Sequence, residues 1–341
     1  MKKFWSLTCL LLLGSVLLVS MVVGCSKPAP EQTFNLKFGH QYAVGHNHDE
    51  DAQWIASEVA KRTQNKVAIE VYPANTLVKV KVAYEEVAAG RVDMLMTFPG
   101  YYYGMAPLSS VMGMPFIFEP GAYVGFGEAL KAGVHKILNE YLTKDDVVLL
   151  AHLPSGGQHF FTNKPIKVKE DLDNFLIRSP SGFQSESLKL LGAVPVDIAS
   201  TAEVYTAIQR GTVDGCMTSV GTATSNKLWE VGGYATEVNL NIGFMQVLTN
   251  GTVFGKLPKD YQKVIKEVCL ERQDWKASNI GAMERGWFDK YASNGVEVLA
   301  LTPEEWRRWA PITRPALNGF LALDPKAQEM IDIALKYSSV K

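Results

Sequence analysis

Neither sign of charge predominates in this chain, and cysteines, long apolar runs and catalytic signatures are all scarce. Its 341 residues carry 34 Lys and Arg against 35 Asp and Glu, a formal net charge of -1. No global field is available to hold a polyanion, so nucleic acid is not expected as a partner, and any charged ligand must be met by a local cluster. Cysteine occurs only at Cys9, Cys25, Cys216 and Cys269, without C-x-x-C spacing. There is no G-x-S-x-G, no H-E-x-x-H, no phosphate loop and no G-x-G-x-x-G between a strand and a helix. "HLPSGGQH" sets His152 near Ser155, but a nucleophile needs a base, an orienter and oxyanion donors, and a separation of three residues supplies none of these. The chain is therefore expected not to be an enzyme and to need no cofactor.

The one long apolar run lies at the start: Lys2-Lys3, then Leu7 to Val23, then Gly24-Cys25-Ser26-Lys27-Pro28. That order reads as an export signal. Val22-Val23-Gly24 before Cys25 resembles the bacterial lipobox, which implies residues 1–24 as a lipoprotein signal peptide, a lipid on Cys25 and residues 25–33 as a tether. An uncleaved signal anchor is the alternative. Either way the body is expected in the periplasm or at the cell surface, held to a membrane. Cys216 and Cys269 then remain, either paired or as buried thiols.

From Phe34 onward strands and helices alternate, the pattern of an α/β protein. "FNLKFGH" reads as a strand, a helix is expected from about Asp49 to Thr63, and "KVAIEVYP" as the next strand. "YEEVAAGRVDM" (84–94) and "YTAIQRGTVDG" (205–215) form a near-repeat: a helix ending on glycine, then Val-Asp and a buried strand. Two copies imply two similar lobes, 34–153 plus 244–283 and 154–243 plus 284–337, joined by strand-like crossings near 150–158 and 240–250. A long helix from Pro258 to about Tyr291 should brace both lobes, and "TPEEWRRWAPI" opens another with Thr302 as cap, Pro303 first and Glu305 third.

If the lobes correspond, "NFLIRSP" holds the place in the second that "NLKFGH" holds in the first, and open α/β sheets bind ligands beyond the carboxyl ends of their strands. Arg178 in "LDNFLIRSPSGFQ" ends a short apolar run just ahead of Ser-Pro. On residues alone it is either a structural ion pair or a ligand clamp, since a guanidinium donates two parallel hydrogen bonds to a carboxylate and stays charged. Phe98 and Tyr101 in "TFPGYYYGMAP" follow a buried strand and are candidates for a ligand wall. His40, His46 and His48 fit no standard zinc spacing, and their segment is expected to be a mobile loop at the cleft mouth. Metal scavenging through these histidines remains a rival reading.

The stretch from "NKPIKVKEDLDNFLIRSP" to "TAIQRGTVDG", with "KFGHQY", "IEVYPANTL", "MPFIFE" and "LPKDYQKVI" in order around it, resembles the substrate-binding proteins of TRAP transporters. The resemblance implies a two-lobed periplasmic-binding-protein-like fold, a carboxylate ligand, and small and large membrane permease proteins as partners. It matches Arg178 to the arginine that binds the substrate carboxylate. Gln41 falls at a polar ligand contact of sialic-acid-binding members and Gln158 at their second arginine. Phe98 replaces an acidic contact there and Thr218 an asparagine, with Met217 beside it as a further candidate. Losing the second arginine and the acid points to a monocarboxylate with an apolar or aromatic body, such as a 2-oxo, branched or aryl acid. A C4-dicarboxylate or a sugar acid is the alternative.

Overall fold

The computed structural model describes residues 32–180, 182–198 and 201–338. The expected signal peptide and the lipid site Cys25 lie outside them. The described residues from Phe34 onward form one compact unit built on two mixed sheets. The first holds β1 (Phe34–His40), β2 (Val67–Tyr72), β3 (Met94–Thr97), β4 (Val147–Gly157) and β10 (Ile242–Asn250), in the order β2-β1-β3-β10-β4. The second holds β5 (His159–Thr162), β6 (Leu176–Ser179), β7 (Val194–Asp197), β8 (Gly215–Thr218), β9 (Tyr234–Glu237) and β11 (Glu297–Ala300), in the order β11-β9-β5-β8-β6-β7. The alternation implied an α/β protein, and the fold is one, built on two sheets.

The near-repeat has a physical basis in both sheets. Each copy ends its helix on a glycine with positive φ, Gly90 at 70° and Gly211 at 68°, a conformation that a side chain would strain. The aspartate that follows then accepts a backbone N–H of the neighbouring parallel strand: Asp93 from Lys37 at 2.8 Å, Asp214 from Leu176 at 3.0 Å. Phe38 pairs with Met94, and Ile177 with Gly215. Aligning those registers puts Arg178 where Gly39 stands in the first sheet.

Leu36, Phe38, Ile55, Val59, Met94, Leu149 and Val247 belong to the first core. Phe160, Ile177, Met217 and Trp309 pack together in the second sheet, and Phe161, Val213 and Cys216 on its other face. The helix Lys259–Ser293 runs 35 residues and joins them, giving Ile265, Val268, Cys269 and Ile280 to the first core and Phe288 and Tyr291 to the Cys216 cluster. The next helix, Pro303–Leu321, starts as expected, with Thr302 Oγ1 accepting the Glu305 N–H at 3.1 Å. The last helix, Pro325–Leu335, was expected with the second lobe, yet its Ala327, Met330 and Ile331 pack into the first core. Charged residues on its other positions masked that preference in the sequence.

The chain passes between the sheets at Gln158, linking β4 to β5, and at 238–241, linking β9 to β10. The two passages are bonded side by side, Gln158 N–H to Asn241 O at 2.9 Å and Leu240 N–H to Gln158 O at 3.1 Å. Glu284 of the long helix accepts the Gly157 N–H at 2.8 Å and the Tyr123 hydroxyl, and lies 2.8 Å from His159 Nε2.

Cys216 and Cys269 are free thiols in different cores, and burial pushes each up to about 12. A thiol reagent added to the folded protein should leave both unmodified, and mass spectrometry after unfolding in denaturant should find both labelled without prior reduction.

Candidate functional site

Two parallel pairs of strands, β1 with β3 and β6 with β8, deliver their carboxyl ends to one cleft. Past β1 comes Tyr42, past β3 Phe98, past β6 Pro180 and past β8 Ser219, and all four line a small cavity of about 30 Å3 together with Tyr101, Ser155, Gln158, Arg178, Thr218, Thr222, Gly243 and Met245. Among these lining residues Arg178 is the sole charged side chain. It is 1% exposed. Its Nε donates to Ile198 O at 2.7 Å, just past β7, and its Nη1 to Met217 O at 3.3 Å in β8. Carbonyls from the two flanking strands thus orient the fork while contributing no net charge. The cation reaches its neighbours: burial raises the titration of Tyr42 and of the Cys216 thiol, and in both Arg178 opposes the rise.

One wall of the cleft is aromatic. Phe98 meets Tyr101 edge-on at 5.4 Å between ring centroids. It also reaches Phe183, on the helix Gly182–Leu190 that follows β6, at 6.2 Å, so an apolar contact spans from one sheet's loops to the other's. Phe183 escaped the sequence reading because a single aromatic on a short helix carries no periodic signal. Of the residues expected at the site, Arg178, Gln158, Phe98, Thr218 and Tyr101 come together in the cleft. Gln41 stands behind it, its Nε2 donating to Tyr101 Oη at 3.4 Å. Met217 points its side chain into the core beside Phe160 and Trp309 and offers the site only its carbonyl.

The histidine segment corrects an expectation. His40, His46 and His48 are buried rather than carried on a mobile loop. His46 caps the helix Asn47–Arg62 by accepting the His48 N–H at 3.0 Å, and His40 Nε2 sits 3.2 Å from Asp49. His48 Nδ1 lies 3.0 Å from Asp51 Oδ2 and its Nε2 2.7 Å from Ser155 Oγ. Asp51 also takes Lys276 at 2.8 Å and Arg272 at 2.8 Å from the long helix. The acids after His48 suit a helix start, and that local role concealed a partner more than two hundred residues away.

Burial alone would raise the Asp51 pKa, but Lys276, the His48 hydrogen bond and Arg272 together hold it well below the usual carboxylate range. His48 is pushed down to about 4, chiefly by burial, with the Asp51 hydrogen bond opposing. Ser155, His48 and Asp51 follow the bond order of a hydrolytic triad, and Ser155's imidazole is His48 rather than the nearby His152, which bonds Gln246 at 3.0 Å. An imidazole titrating near 4 is a poor general base, and an aspartate already facing two cations has little field left for an imidazolium.

The model of the bacterial extracellular solute-binding protein family 7 matches residues 38–322. A C4-dicarboxylate-binding periplasmic protein of Rhodobacter capsulatus is 26% identical over 87% of this chain and 89% of its own. A TRAP periplasmic solute binding protein from Desulfovibrio salexigens, solved with bound orotic acid, superposes with a TM-score of 0.83 at 23% identity, covering 89% of this chain and 98% of that one. An extracytoplasmic solute receptor of Bordetella pertussis binding pyroglutamic acid gives 0.82 at 22% identity, over 89% and 99%.

A neutral, buried His48 contributes stability that is complete above the ordinary histidine value of 6.5 and is lost as pH falls toward about 4, because the unfolded chain takes up the proton first. Urea unfolding should show the midpoint dropping through that window, and His48→Gln should flatten the dependence. His135, also held down to about 4, and His46 and His152, held by burial well below the ordinary value, will leave much of the slope in place.

Proposed function

The chain belongs to the bacterial extracellular solute-binding proteins of family 7, the TRAP-type extracytoplasmic receptors, which bind small molecules, work with a membrane permease and are not enzymes; from that premise we propose that it captures a monocarboxylate with a largely apolar or aromatic body, on Arg178. The observation that carries this reading is the charge balance of the cleft: one guanidinium and no Asp or Glu among the described lining residues. One ligand carboxylate neutralises it. A second would be buried against Gln158, whose amide can donate hydrogen bonds but carries no charge, at a desolvation cost of several kcal/mol. His46, beside Thr222, does not supply the missing cation, since burial holds it well below its ordinary value. Phe98, Tyr101, Tyr42 and Met245 offer apolar surface to the remainder of the ligand.

The two sheets act as two lobes in this reading. Their passages at Gln158 and 238–241 serve as the hinge, and contacts from both sides favour the closed form. The loaded receptor hands its acid to the small and large membrane proteins of the transporter. Cys25 carries the lipid that keeps it near them. No helix among the described residues is long and apolar enough to cross a membrane.

Truncating one partner of a desolvated charge pair costs about 2 to 5 kcal/mol, and a micromolar ligand is bound by about 8 kcal/mol. Calorimetry should therefore find Arg178→Ala weakened from about thirtyfold to several thousandfold, with Arg178→Lys also weak because an ammonium lacks the planar fork. Retained affinity in either variant contradicts the assignment, and a wild-type screen returning only dicarboxylates or sugar acids contradicts the ligand class. Small-angle scattering should show compaction when such an acid is added.

A further inference from the structure

Ser155 lines the cleft at a break in the β4–β10 pairing. Gly243 pairs with Gly156 and Phe244 with Pro154, so Ser155 is the extra residue of a bulge. Bulges re-aim a side chain out of the regular alternation, and here the hydroxyl meets His48 Nε2 at 2.7 Å.

The direction of that hydrogen bond follows from the groups behind it. Asp51 accepts from Lys276 Nζ at 2.8 Å and from Arg272 Nε at 2.8 Å, so it is a carboxylate and can only accept. His48 Nδ1, at 3.0 Å from the same carboxylate, must then be the nitrogen that carries the hydrogen. In a neutral imidazole the other nitrogen, Nε2, is an acceptor, and Ser155 must donate its one hydroxyl hydrogen inward. Burial of His48 favours this neutral form. What the Ser155 oxygen has left is lone pairs.

We propose that Ser155 acts in the cleft as a hydrogen-bond acceptor only, and thereby selects acids that carry a hydroxyl or N–H donor over their oxo or unsubstituted analogues. The inference rests on the reading of the cleft as the acid site and narrows it: of the apolar monocarboxylates, hydroxy acids and cyclic amide acids fit, whereas a 2-oxo oxygen would set lone pair against lone pair, and a methylene would leave a buried acceptor unpaired. Ser155 is a specificity residue, while His48 and Asp51 act through it as positioning residues.

Calorimetric titration with phenyllactate, phenylpyruvate and hydrocinnamate, and in parallel with malate, oxaloacetate and succinate, tests this on two skeletons. The hydroxy member should bind about tenfold or more tightly than its oxo and unsubstituted partners, Ser155→Ala should bring the three within about threefold, and Ser155→Thr should keep the order. Imidazole nitrogen NMR should find the His48 hydrogen on Nδ1. Equal binding of the oxo acid, discrimination that survives Ser155→Ala, or a hydrogen on Nε2 overturns the inference. If only the dicarboxylate series binds, the monocarboxylate reading fails while the malate-to-oxaloacetate order still decides the role of Ser155. If neither series binds, both fall.

Discussion

A guanidinium buried at the carboxyl end of β6 is the constraint around which the rest is arranged. Its charge is set among apolar side chains, where a cation is tolerated only with partners that offset the loss of water. Two backbone carbonyls, Ile198 and Met217, accept from Arg178 and help orient its positive charge. That charge stands in a cleft whose other described linings are neutral. In the proposed reading a carboxylate pairs with this oriented guanidinium, and a charge-assisted pair of that kind adds most to affinity and specificity where the donors are already in place.

The second buried charge system is of a different kind. Asp51, Lys276, Arg272 and His48 satisfy one another and tie the first helix to the 35-residue helix beneath the cleft. Such a cluster adds little net stability over apolar packing, but removing one member strands the others. Its value here is positional: it holds Ser155's partner in one tautomer, while Glu284 of the same helix accepts the Gly157 N–H beside the passage at Gln158. Rigid support on the floor and the Phe98–Phe183 contact across the wall frame the space left for a ligand.

The fold was legible in the sequence wherever local chemistry and long-range packing agree. The glycine and aspartate of the near-repeat recur in equivalent places of the two sheets because each aspartate closes the same bond to a neighbouring strand. That Arg178 and Phe98 face one cleft was legible because strand ends in an open sheet converge, whereas Thr218 was suggested by the family resemblance alone. The His48–Ser155 pair was not, since its members are 107 residues apart and meet only through a bulge that no residue pattern announces. Likewise the three histidines looked like a polar loop because nothing in their neighbourhood hinted at Lys276 and Arg272. The last helix went to the wrong partner for a related reason: an amphipathic face says that it is buried, not against which sheet.

The most direct measurement of the central claim is a crystal structure of the protein purified with an acid from its own cells or with one found by screening. Electron density is expected for a carboxylate forked onto the Arg178 guanidinium, between Phe98 and Thr218. Density for the acid elsewhere, with Arg178 holding only protein groups, would contradict it.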